Sequence, residues 1–213
     1  MLSTAAYTAL PDKAALQQLC KALATLDAVI YPDLEYRYYS YDAHWAPGEE
    51  FFEMNDGEGD QLLALFRAEG CVLNGYADGL PEPDKEQLTR RLPEVFREFM
   101  FGEPVSSIGT TFCFWQTQPG QWQLGDSNQP EDGSEDLLGI FDNNPQTYID
   151  WAEEYYGEED IFHVGGLPFA VVQQIYHGTP LTRPMVHALV NTTPDWYQLE
   201  ADLQAIGYPY DFS

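Results

Sequence analysis

Two segments of the chain alternate carboxylates with aromatic rings, a combination suited to binding a positively charged surface. They span residues 49–60 and 150–160. A protein interface buries rings at its centre and surrounds them with polar groups. We therefore predict partner contacts by Glu49, Glu50, Phe51, Glu53, Asp56, Glu58 and Asp60 in the first segment and by Trp151, Glu153, Glu154, Tyr155 and Glu158 in the second. The alternative is an ordinary amphipathic strand and helix that turn their rings into the core.

The composition sets the sign of the partner. The chain has 35 Asp and Glu against nine Lys and Arg, so its net charge is −26 over 213 residues. Such a field attracts basic surfaces and repels nucleic acid and anionic lipid. With 44% hydrophobic and 15% aromatic residues, the chain is a folded body and not an acidic tail. We expect a basic protein partner, with no direct contact to nucleic acid or membrane.

Residues typical of catalysis and metal binding follow no recognised spacing. The four histidines form no HExxH or Cys/His pattern, and no serine lies in a GxSxG sequence. The acidic turn at 55–60 departs from the EF-hand pattern. With so many acids, neighbouring carboxylates arise by chance and do not indicate acid–base chemistry. We therefore expect no cofactor, no metal and no enzymatic activity, and retain only His44, beside Trp45, as a candidate for ligand binding.

The cysteines and the apolar segments indicate the compartment. Cys20, Cys71 and Cys113 are widely spaced in apolar surroundings, which is typical of reduced core cysteines. The first residues show no basic region followed by an apolar run, and no apolar stretch reaches the ~18 residues of a membrane span. These patterns predict a cytoplasmic protein.

The elements that position these residues follow from hydrophobic periodicity and from Pro and Gly. Strands come first and helices later, which favours an α+β fold in one domain over 1–213, with 144–213 as a candidate helical subdomain. The predicted elements are a helix at 11–28, an antiparallel meander at 35–77, a helix at 83–101 broken at Pro93, a hairpin at 110–124, a loop at 125–136, a strand or short helix at 137–141, and helices at 144–156, 168–177, 182–190 and 194–206.

Four of the nine basic residues lie in the predicted helix at 83–101: Lys85, Arg90, Arg91 and Arg97. We expect them to form ion pairs with acidic neighbours inside the fold and not a nucleic-acid site.

One short stretch resembles a known family. Residues 92–99 read Leu-Pro-Glu-Val-Phe-Arg-Glu-Phe, similar to the Leu-Pro-x-x-aromatic-x-x-Phe helix start of the SUKH immunity superfamily, and residues 166–169 give a poorer match. Small, acidic, aromatic-rich proteins also look like the immunity proteins of bacterial toxin systems. The resemblance implies a non-catalytic protein that occludes the basic face of a toxin or nucleic-acid enzyme. Two alternatives stay open: a DNA mimic, and an enzyme that uses a carboxylate or His44 in a cleft.

Overall fold

A six-stranded antiparallel sheet forms the centre of the protein, so the predicted α+β fold class is confirmed. The structure, a computed structural model, describes residues 2–127, 129–157 and 160–213. The strands pair in chain order, each antiparallel to the one before it. They are β1 (Tyr39–Ala46), β2 (Glu49–Asn55), β3 (Gln61–Arg67), β4 (Gly70–Tyr76), β5 (Phe112–Gln116) and β6 (Trp122–Leu124). The predicted meander and the predicted hairpin therefore belong to one sheet.

The helices lie on both faces of this sheet. They are α1 (Lys13–Ile30), α2 (Lys85–Leu88), α3 (Arg97–Phe101), α4 (Val105–Ile108), α5 (Ser134–Leu137), α6 (Pro145–Tyr156), α7 (Phe169–Tyr176), α8 (Arg183–Leu189) and α9 (Trp196–Ile206). None of those in the described ranges is long and apolar enough to cross a membrane.

Side-chain alternation along the strands produces two hydrophobic clusters, one on each face. Tyr39, Tyr41 and Phe52 join the larger cluster, which α1, α6, α7, α8 and α9 complete. The smaller cluster lies between the other face and the segment 88–105. Among the described residues of β1 and β2, only Phe51 belongs to this smaller cluster. The outermost corner of the second face is therefore left without an apolar cover.

The C-terminal helices begin and end close to the predicted residues. The Asn144 side chain accepts a hydrogen bond from the Gln146 N–H at 3.2 Å at the start of α6. Gly207, at φ 69°, ends α9 in the left-handed conformation that glycine tolerates best. A two-stranded parallel pair, β7 (Leu181–Thr182) with β8 (Tyr210–Asp211), joins this region and was not predicted.

The structure corrects three local predictions. The segment 83–101 contains only the short helices α2 and α3 and a 3-10 turn at Glu94–Phe96, where Pro93 is the N-cap. Residues 35–38 are not a strand, because a 3-10 turn at Leu34–Tyr36 precedes β1. The loop predicted at 125–136 ends early, because α5 begins at Ser134, and its Asn128 lies outside the described residues.

The arginines of this segment form intramolecular ion pairs, as predicted. Arg90 and Arg91 lie 2.7 and 2.5 Å from the carboxylate of Asp126, and Arg97 lies 3.6 Å from that of Glu86. Lys85 lies over the ring of Phe101 instead, 5.5 Å from its centroid. All three cysteines are free and buried in the core, again as predicted.

Candidate binding cleft

A cleft of about 550 Å³ opens at the corner of the sheet that carries β1 and β2. It is lined by Ala24, Leu34, Glu35, Tyr36, Arg37, Ser40, Tyr41, Asp42, Trp45, Phe51, Glu53, Asn55, Asp56, Gly57, Tyr155, Asp202, Ala205 and Ile206. A volume of this size is within the range of pockets that hold small ligands or side chains.

The register of β1 and β2 explains the polar part of the lining. Ser40 pairs with Glu53 and Asp42 pairs with Phe51, so all four side chains project from the second face of the sheet. Phe51 joins the smaller hydrophobic cluster with the segment 88–105, and Ser40, Asp42 and Glu53 line the cleft. Asp42 of β1 and Glu53 of β2 therefore place their carboxylates in the cleft.

Arg37 fixes a second wall of the cleft. Its Nε donates to the carbonyl of Tyr31 at 2.8 Å, and its Nη2 donates to the carbonyl of Pro32 at 2.8 Å and to the carboxylate of Asp202 at 2.6 Å. The guanidinium is buried, and its planar fork can satisfy several acceptors at once. These bonds hold the 3-10 turn Leu34–Tyr36 against α1 and bring α9 to the cleft.

The turn between β2 and β3 forms a third wall. One carboxylate oxygen of Asp56 accepts hydrogen bonds from the backbone N–H groups of Glu58, Gly59 and Asp60 at 2.8 to 2.9 Å. Gly57 adopts φ 75°, which the turn requires. The hydroxyl of Tyr155 on α6 lies 3.5 Å from the backbone carbonyl of Asp56. The two acidic and aromatic segments predicted from the sequence therefore meet at this wall.

Exposed apolar side chains surround the cleft. Of the seven large hydrophobic residues that are exposed in the described part of the chain, four line it. They are Leu34 at 62%, Tyr36 at 61%, Trp45 at 45% and Tyr155 at 47% exposure. Such clustering is typical of a binding site, because single exposed rings are ordinary but contiguous ones are not.

The lining is strongly negative. The described lining residues include five carboxylates and one cation, Arg37, whose charge the adjacent Asp202 balances. Burial raises the pKa of Glu53 above its usual range, and a hydrogen bond with Asn55 only partly opposes this. A positive group that entered the cleft would therefore find, at Glu53, a carboxylate with incomplete solvation.

Comparison of the chain with family models, with curated proteins and with solved structures found no match.

Four of the residues predicted to bind a partner line the cleft together: Phe51, Glu53, Asp56 and Tyr155. Trp151 lies behind it, with its ring centroid 4.6 Å from that of Tyr38 and 5.3 Å from that of Tyr155. Trp151 therefore supports the wall of the cleft from the core side.

Several other predicted residues have intramolecular partners. Glu49 lies 2.8 Å from Arg67, and Glu50 lies 2.7 Å from Lys21. Although burial alone would raise the pKa of Glu50, hydrogen bonds from Lys21 and Tyr41 lower it overall. These two acids stabilise the sheet and do not line the cleft.

The remaining predicted acids are also outside the lining. Asp60 accepts the backbone N–H of Asp78 at 2.7 Å, and Glu153 accepts that of Leu167 at 2.7 Å. Glu58 and Glu154 are exposed and do not line the cleft. Glu158 lies outside the described residues.

Sequence reasoning missed most of the lining, since only four of its 18 described residues were predicted to bind a partner. Asp42 and Trp45 flank His44, which was retained as a candidate; His44 itself is exposed and does not line the cleft. The aromatic ring next to that histidine was the available signal for Trp45. Arg37 and Asp202 are 165 positions apart, and no local pattern connects them.

Proposed function

We propose that the protein is an acidic, non-catalytic binding protein that neutralises a basic protein partner. It resembles an immunity protein that occludes a cognate bacterial toxin in the cytoplasm, and the cleft is the centre of its contact surface. The observation that carries this proposal is the coincidence, in one cleft, of carboxylates with four of the seven exposed large hydrophobic side chains of the described residues. Rings of this kind supply buried anchors, and carboxylates steer a basic partner and raise its on-rate.

The cleft favours this proposal over DNA mimicry. A mimic must present carboxylates as a duplex presents phosphates, on a projecting surface that enters the partner's groove. Four of the five carboxylates in the cleft belong to partly buried residues instead, which suits insertion of groups from the partner; they are Asp42, Glu53, Asp56 and Asp202.

Capture from the protein's own cells tests the proposal. The tagged wild type and a variant with both Trp45→Ala and Glu53→Gln are used as baits at about 50 mM and about 300 mM salt, which changes the Debye length more than twofold. We expect one basic protein that the wild type retains at low salt, that high salt releases, and whose activity the wild type inhibits. The double variant should lose this partner, whereas a variant with Tyr197→Ala and Glu69→Gln, which changes one ring and one charge outside the cleft and outside the predicted contact segments, should retain it.

Two results would overturn the proposal. Equal capture by the two double variants would show that the cleft takes no part in binding. Absence of any protein partner at both salt concentrations would favour the enzymatic alternative, for which Glu53, partly buried and with a raised pKa, is then the first residue to test.

A further inference from the structure

The rings and the carboxylates of the cleft together select the chemistry of its occupant. We propose that the cleft receives an arginine side chain of the basic partner, an inference that rests on the proposed function and specifies its contact. A guanidinium is the protein cation that both stacks on an aromatic face and bonds a carboxylate in its own plane.

The geometry of β2 brings these two kinds of group side by side. Trp45 stacks on Phe51, with ring centroids 4.4 Å apart, and Glu53 follows Phe51 by two residues on the same strand face. Residues two apart on a strand are separated by about 7 Å. An arginine that lies on the exposed face of Trp45 therefore has the Glu53 carboxylate within the reach of its side chain.

A metal ion does not fit the same groups. In the described part of the chain, no three His, Cys, Asp or Glu side chains lie close enough together to hold an ion. The five carboxylates of the cleft are spread over its walls, on the 3-10 turn Leu34–Tyr36, β1, β2, the turn that follows β2, and α9. An extended cation that reaches one or two of them, and uses the rings for the rest of its contact, matches this distribution.

The guanidinium of Arg37 does not neutralise the negative charge of the cleft. It is buried and bonded to Asp202 and to two backbone carbonyls. Its charge is therefore balanced by Asp202, and Glu35, Asp42, Glu53 and Asp56 remain as carboxylates that have no cationic partner among the described lining residues. A second guanidinium enters a site that is still negative.

The test uses a blocked Gly-Arg-Gly tripeptide and its citrulline counterpart, which has nearly the same shape and no charge. Binding is followed by NMR through the indole N–H signals of the five tryptophans, with that of Trp45 assigned from a Trp45→Phe variant. We expect a saturable shift of the Trp45 signal with the arginine peptide. Its affinity should exceed that of the citrulline peptide at least about tenfold, because charge-assisted bonds are the stronger ones.

Matched variants separate the site from the general negative field. Glu53→Gln and Glu69→Gln each remove one charge, but only Glu53 lines the cleft, and Glu69 is an exposed residue outside both predicted contact segments. We expect Glu53→Gln to weaken the arginine peptide about tenfold and Glu69→Gln to leave its affinity unchanged. Asp42→Asn serves as a second cleft variant if Glu53→Gln alters the unfolding midpoint.

Three outcomes would overturn the inference: equal binding of the citrulline peptide, equal loss in the two Glu variants, or equal binding of a Gly-Lys-Gly peptide, since lysine lacks the planar fork. Its failure is distinct from failure of the proposed function. If a partner is captured through the cleft but the peptide does not bind at Trp45, the proposed function stands and an arginine is excluded as the occupant of the cleft. If the arginine peptide binds at Trp45 but no partner is captured, the cleft accepts a guanidinium and the proposed function is overturned.

Discussion

The ring of Trp45 stacks on that of Phe51, with centroids 4.4 Å apart and an angle of 26° between their planes. Phe51 is itself buried in the smaller hydrophobic cluster, beneath α3. One face of Trp45 is therefore fixed against the core, while the ring as a whole is 45% exposed. This arrangement orders an exposed ring before any partner arrives, which lowers the entropy cost of binding.

Trp45→Ala should separate binding from stability. The stacked pair contributes about 0.5–1.5 kcal/mol beyond the burial of the ring, so the free energy of unfolding should fall by at least that amount in a urea titration. The affinity for the basic partner should fall at least about 30-fold, because removal of a tryptophan from the centre of an interface costs ~2 kcal/mol or more of binding free energy. Tyr197→Ala is the control, since Tyr197 is 89% exposed and outside the cleft. Equal losses of affinity in both variants would contradict the role given to Trp45.

Arg37→Ala should destabilise the protein far more than Arg90→Ala. Arg37 is buried and bonded to Asp202 and two carbonyls, and its removal leaves a carboxylate without its counter-charge. We expect a loss of about 3–5 kcal/mol in the free energy of unfolding, measured in urea. Arg90 pairs with Asp126 at the surface, where its side chain is 71% exposed, and its loss should cost about 0–1 kcal/mol.

Arg37→Lys tests the geometric part of this explanation. Lysine keeps the charge but cannot bond three acceptors in one plane. Its stability should lie between the wild type and Arg37→Ala. A lysine variant as stable as the wild type would mean that charge alone, and not the fork, holds the turn Leu34–Tyr36 against α9.

Asp27 links three elements inside the larger cluster. One of its carboxylate oxygens accepts from the Tyr148 hydroxyl at 2.7 Å; the other accepts from the Tyr39 N–H at 2.9 Å and the Tyr156 hydroxyl at 3.1 Å. Burial nevertheless raises its pKa from 3.8 to about 6. Between these two pKa values, the folded protein binds more protons than the unfolded chain. The stabilising contribution is thus complete below the unfolded pKa of 3.8 and is lost as the pH rises through about 6.

Asp27→Asn should remove this pH dependence. The wild type should lose roughly 3 kcal/mol more than the variant in the free energy of unfolding between about pH 4 and pH 7. The other carboxylates of this acidic chain titrate in both proteins, so the difference between the two curves isolates Asp27. Parallel curves would show that the carboxyl ionises as readily in the folded protein as in the unfolded chain.

The three cysteines should resist alkylation until the protein unfolds. Burial raises the pKa of Cys71 and of Cys113 to about 12 and also raises that of Cys20. At pH 8 a thiol with a pKa of 12 is ionised in about one molecule in 10⁴, and the thiolate is the reactive form. Mass spectrometry should find no iodoacetamide adduct on the native protein and three adducts in denaturant. Rapid native labelling at any one position would place that thiol at the surface.

The extent to which sequence predicts this fold depends on how local the determining contacts are. The helix α6 was predictable because Asn144 and Pro145 mark its start and Gly157 marks its end, each at the end of the helix that it determines. The pair β7 and β8 was not, because each strand has only two residues and they pair across an intervening stretch of 27 residues, 183–209. The segment 83–101 has helical periodicity, but tertiary packing divides it into single turns.

The same distinction applies to the cleft. Glu53, Asp56 and Tyr155 were predicted as binding residues because they lie in segments where acids alternate with rings. Their proximity was not predictable, because it depends on a tyrosine and a turn that are 99 positions apart. Acidic composition alone also cannot distinguish Glu53, which lines the cleft, from Glu50, which pairs with Lys21.

The order in which the cleft residues occur along the chain has a consequence during translation. Most of the lining comes from residues 24–57, but Tyr155 and Asp202 complete it, and Asp202 supplies the counter-charge of Arg37. A nascent chain can pair β1 to β6 strand by strand as each leaves the ribosome, because the sheet follows chain order. It cannot close the cleft until α9 has emerged. A nascent chain whose α9 is still inside the ribosome therefore lacks the wall of the cleft that Asp202 supplies.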